Sequence, residues 1–119
     1  MRLEGSFYMV ESISLSDDGQ LRAVVELADR HPIFDGHFPS QAVVPGVCTL
    51  TIVKECLEKV KRRDIMFTAI KECKYLSALL PGKGLKVELE FACGEEMLSG
   101  MVKRCDNGQP VMKLKASYR

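Results

Sequence analysis

The sequence predicts an α+β domain in which a six-stranded antiparallel sheet wraps around one long central helix. Three observations predict it. Six runs have the apolar alternation or β-branched content of strands, and only one stretch carries helical periodicity. Two of the links between strands contain Asp18-Gly19 or Asn107-Gly108, which are strong signals for tight hairpin turns.

Residues 7–15 and 21–28 form the first pair of strands, joined by SDDGQ. There follows HPIFDGHFPSQAVVPG, residues 31–46, with three prolines and two glycines in sixteen residues. Long loops this rich in proline tend to carry function rather than merely connect. The helix is expected from Val47 to Arg62, where Leu50, Val53, Leu57 and Val60 recur at 3/4 spacing on one apolar face. Val47, Cys48, Ile52 and Cys56 add apolar residues on its other sides, so the first half must be enclosed, and the surrounding strands are what can enclose it. Lys59, Lys61, Arg62 and Arg63 gather at the far end, where they complement the helix dipole or present a basic surface to an acidic partner. Strands then return at 65–76, 85–92, 97–104 and 110–118, and VELEF and VMKLKASY alternate as half-buried antiparallel strands should.

Composition sets limits on function. The 119 residues suffice for one domain, 1–119, with one core. A net charge of +1 leaves no basic footprint for nucleic acid. No apolar run approaches the ~18 residues of a membrane span, and MRLEGSFYMVES has no signal-peptide core. The five cysteines are an odd number without a C-x-x-C pair, which predicts reduced packing residues in a cytoplasmic protein. The six methionines are expected in the core or lining a tunnel.

The residues with chemistry cluster between 31 and 55. His37 sits in a loop stiffened by Pro39 and Pro45, and Gly46 opens the helix. The N–H groups of a first helical turn have no intrahelical acceptors and carry partial positive charge. A histidine beside them is a proton-transfer group next to an oxyanion site. On spacing alone an alternative stands: His37 caps backbone groups of an ordered loop. His31, before Pro32, is expected to end the second strand at the surface.

The run FDGHFPSQAVVPGV resembles the loop-to-helix signature of the 3-hydroxyacyl-acyl carrier protein dehydratases, whose fold is the hotdog: G-H-F-P precedes a P-G-V helix start at the same interval. The likeness extends to the strand order, the Leu80-Pro81-Gly82 turn and the Asn107-Gly108 hairpin, while the N-terminal helix of many members has no counterpart. The resemblance implies that His37 removes the α-proton of a 3-hydroxyacyl thioester and that the Gly46 N–H polarises the thioester carbonyl. It further implies an acyl chain lying beside the helix against Phe38, Pro45, Val47 and Leu50. The substrate would arrive on the phosphopantetheine of an acyl carrier protein or on CoA, without metal or other cofactor. Sites at protomer interfaces imply a homodimer or higher even oligomer, or a heterodimer with a related hotdog protein.

One departure matters. The family's second catalytic group is a helix Glu or Asp fourteen residues after the histidine, and that position is Thr51. A threonine hydroxyl donates a hydrogen bond but does not supply an acid, and a positioned acid or base contributes typically ~10²–10⁴-fold. Glu55, one turn on, has two readings: a carboxylate reaching back toward Thr51, or a solvated helix residue paired with Lys59. Ser40, Gln41 and Ala42 also stand where relatives carry G-x-P. Two functional classes follow: a dehydratase or related thioester enzyme such as a thioesterase, or an acyl-binding subunit that depends on a catalytically complete partner.

Overall fold

The computed structural model describes residues 2–35 and 42–119. Six strands, β1 (Tyr8–Leu15), β2 (Gln20–Leu27), β3 (Phe67–Tyr75), β4 (Lys86–Cys93), β5 (Met97–Arg104) and β6 (Pro110–Tyr118), flank one long helix, α1 (Gly46–Lys61). They form a single antiparallel sheet in the order β1-β2-β4-β5-β6-β3, so β1 and β3 are its edges. The six strands and the helix lie within two residues of their expected bounds.

Alternation decides which side of each strand meets the helix. Leu21, Ala23, Val25 and Leu27 of β2 are buried, and their register partners Val87, Leu89 and Phe91 of β4 continue the same apolar surface. Leu98 and Val102 of β5, then Leu114, Ala116 and Tyr118 of β6, carry it across the sheet. The opposite surface holds charged residues such as Glu90 and Lys103, whose side chains pair at 2.8 Å. A fully buried Leu, Ile or Phe contributes ~1.5–3 kcal/mol, so this apolar face is what holds the sheet against α1.

The helix buries a different stripe from the one expected. Cys48, Ile52, Val53, Cys56 and Leu57 are buried, Leu50 and Val60 are half-buried, and Val47 is 64% exposed. The greasy first half offered two overlapping stripes, and the concave sheet took the one that includes both cysteines. Burial pushes the Cys56 thiol up to about 12, as befits a packing residue. The helix stops at Lys61, because Arg62 turns into the left-handed region (φ 57°) while its N–H still donates to the Glu58 carbonyl. Of the methionines expected inside, Met112 is fully buried, whereas Met9, Met66 and Met97 are exposed.

The segment before β1 folds back over the helix. Leu3 and Phe7 enter the core, and the Phe7 N–H donates to the Leu3 carbonyl at 2.8 Å. His31 does not simply end β2. Its Nδ1 accepts from the Ile33 N–H at 3.1 Å, capping a short 3-10 helix (Pro32–Phe34), and its ring meets Phe7 edge-on with 5.3 Å between centroids.

Candidate functional site at the start of the helix

One tether fixes the beginning of α1 and a second fixes the chain that passes it. The Val44 N–H donates to the Leu79 carbonyl and the Leu76 N–H to the Val111 carbonyl, each at 2.8 Å, so the chains entering the helix and leaving β3 are held side by side. Pro45 is the N-cap, with extended backbone and no side-chain hydrogen bond. The Cys48 N–H turns back to the Pro45 carbonyl at 2.9 Å, but among the described residues nothing accepts the N–H of Gly46. That N–H stands at the positive end of a sixteen-residue helix.

A cavity of about 210 Å³ opens there, lined by Val44, Gly46, Thr49, Tyr75, Leu79 and Val111 among others. At its floor the bare Gly46 backbone leaves room for the Tyr75 ring. A Cβ on residue 46 would stand 2.5 Å from Cζ of Tyr75, 2.8 Å from Cε1 and 2.9 Å from its hydroxyl oxygen. Burial, and then the neighbouring Cys73 thiol, push the Tyr75 phenol up to about 12, so it stays a neutral donor at physiological pH. Thr49, only 4% exposed, brings a hydroxyl side chain to the same wall. Neither Thr49 nor Tyr75 was expected from the sequence. An aromatic alternating with Cys73 toward the helix side was the available signal, and the irregular register of β3 obscured it.

The other expected site residues are distributed unequally. His37 and Phe38, with the rest of 36–41, lie outside the described residues. Pro45 is buried beside Gly46, Leu50 is half-buried, and Val47 points outward from the helix start. The Thr51 hydroxyl donates to the Val47 carbonyl at 2.8 Å, one turn back along its own helix.

Glu55 fits neither expectation. Only 3% exposed, its carboxylate accepts from the N–H groups of Leu3 (2.8 Å) and Glu4 (2.9 Å) and from the Tyr8 hydroxyl (2.9 Å). Three donors occupy it, so it does not turn back toward Thr51, and Lys59 pairs instead with Glu4 at 2.8 Å. The reason is the segment 2–5, which crosses the helix and needs an acceptor for buried N–H groups. Burial raises the Tyr8 phenol, which therefore remains the donor. The basic helix end is likewise partly matched: Lys59 meets Glu4, and Glu58 takes Arg2 (3.3 Å) and Lys54 (3.4 Å).

A family model described as ApeI-like, ApeI dehydratase, matches residues 13–112. The 3-hydroxyacyl-[acyl-carrier-protein] dehydratase FabZ of Macrococcus caseolyticus (strain JCSC5402) is 28% identical over 71% of this chain. The chain spans 64% of the length of that curated relative. The solved structure described as the dehydratase heterocomplex ApeI:P from Xenorhabdus doucetiae superposes with a TM-score of 0.78 at 20% identity, covering 92% of this chain and 96% of that one. An uncharacterized protein from Erwinia carotovora subsp. atroseptica follows at 0.73 and 23% identity, covering 93% and 92%. The sheet wrapped on its helix is the hotdog fold.

Proposed function

This chain belongs to the ApeI-like dehydratase family, and on that premise we propose that it takes part in removing water from 3-hydroxyacyl thioesters in fatty-acid or related acyl-chain synthesis. The observation that carries the reading is the open Gly46 N–H at the floor of the helix-start cavity. A thioester carbonyl bound there gains a donor where enolate charge develops when the α-proton leaves. His37 is the base that takes that proton, and the C3–O bond breaks as the 3-hydroxyl takes a proton back from protonated His37 and leaves as water. The acyl group arrives on phosphopantetheine, from an acyl carrier protein or CoA, and the chemistry calls for no metal.

A second reading has its own support. Thr51 brings no acid to the departing hydroxyl, and its own hydroxyl is already spent on Val47. One structural neighbour is described as a dehydratase heterocomplex. On this reading the chain is the incomplete half of a pair with another hotdog subunit, and the partner supplies the acid.

Hydration of trans-2-enoyl thioesters separates the two. The purified chain is expected to show slow turnover that His37→Ala abolishes. No turnover alone, with turnover restored by a second dehydratase subunit or by Thr51→Glu, establishes the subunit reading. No turnover under any of these conditions removes the dehydratase function.

A further inference from the structure

We infer that the Tyr75 hydroxyl is a second hydrogen-bond donor to the thioester carbonyl oxygen, working beside the Gly46 N–H; the inference rests on the dehydratase reading. Strand β3 ends by carrying the Tyr75 ring over the first residue of α1, and the phenol oxygen lies 2.9 Å from where a Gly46 side chain would begin. The phenol and the Gly46 backbone therefore line the same cavity, where one bound carbonyl can meet both donors.

Three features separate this role from packing. The ring is 52% exposed, so it contributes little to the core. Among the described residues no strong hydrogen-bond partner engages the hydroxyl, and the Cys73 thiol that influences it is a weak one that a polarised carbonyl would displace. The phenol, held up at about 12, keeps its proton across the working range and so remains a donor. A second donor also has a chemical purpose here. With Thr51 in place of a carboxylic acid, loss of the hydroxyl is poorly assisted, and stabilising the enolate is what remains to lower the barrier. Tyr75 neither gains nor loses its proton in this role.

The test is Tyr75→Phe, which keeps the ring and removes only the donor. In the infrared difference spectrum of a 13C-carbonyl trans-2-enoyl pantetheine thioester bound to the full chain, the carbonyl band should move to lower frequency than in solution. Tyr75→Phe should return about half of that shift if the two donors share the oxygen equally. In the hydration assay kcat should fall by about 100-fold with KM little changed, the usual effect of removing one oxyanion donor. A band and a kcat unmoved by Tyr75→Phe overturn the assignment and leave the dehydratase reading standing. Faster turnover in Tyr75→Ala with unchanged Tyr75→Phe overturns it in favour of a steric door. A wild-type chain that neither binds nor hydrates thioesters, alone or with a second subunit, overturns the dehydratase reading and this assignment with it.

Discussion

Strands β1 and β3 are both edges of the same sheet, yet the chain treats their helix-facing sides in opposite ways. Beside β1, residues 2–7 fold across the helix, Leu3 and Phe7 are buried, and the Glu55 carboxylate gathers three donors from that side. Beside β3 nothing comparable covers the described surface: Ile70 is 44% exposed and Tyr75 52%, although both point toward the helix side. The polar group buried at the closed edge is satisfied internally, while those at the open edge, the Gly46 N–H and the Tyr75 hydroxyl, are left with weak partners or none among the described residues. Saturated hydrogen bonding makes a clamp, and unsaturated hydrogen bonding makes a place for a ligand.

The closed edge should be the costlier one to damage. Glu55→Ala strips acceptors from two backbone N–H groups and a buried phenol, and should lower the unfolding free energy by about 3 kcal/mol in urea titrations. An unchanged midpoint would mean that segment 2–5 is not held by this carboxylate. At the open edge, Gly46→Ala should reverse the balance. The added methyl displaces the half-exposed Tyr75 ring, so thermal stability should change by less than about 1 kcal/mol while turnover falls by about 100-fold. If activity survives, the carbonyl does not bind at Gly46.

Ile70→Lys tests whether the bare side of β3 meets a partner. The fold should tolerate it, and in sedimentation experiments association with a partner hotdog subunit should weaken by about tenfold, since roughly half an isoleucine's burial is at stake. The smallest effect returns to the closed edge. Burial raises the Glu58 carboxyl, but the Ile65 N–H, Lys54 and Arg2 outweigh it and hold the group below its ordinary 4.5. Because the folded value is depressed, its stabilising contribution is complete above about 4.5 and drains away as pH falls through the folded value. Wild type should therefore lose more stability than Glu58→Gln on acidification from pH 7 to about 3, by less than about 1 kcal/mol; parallel acid curves would contradict it.

Strand order and the helix were legible because their signals are local: alternation in VELEF, the Asn107-Gly108 turn, one stretch of 3/4 spacing. The loop signature pointed to the helix start and to Gly46 for a similar reason, since proline and glycine act where they stand. The buried helix stripe was not legible. Leu50 and Val60 are as apolar as Cys48 and Cys56, and only the curl of the sheet chooses between the sets. Glu55 reads as a surface charge because its donors come from the segment around Leu3, about fifty residues away. Tyr75 reaches Gly46 only after β3 has paired with β6, a contact that no short window of sequence contains.

The irregularity of β3 has a further consequence. Its pairing with β6 skips a residue at Thr68 and again at Lys71, so the free rim changes direction twice within nine residues. A straight strand laid against such a rim loses step after a few residues, which penalises the indefinite stacking that leads to fibres. A strand with matching kinks, from a copy or a close relative, can follow it. The exposed edge thus carries its own guard against open-ended stacking.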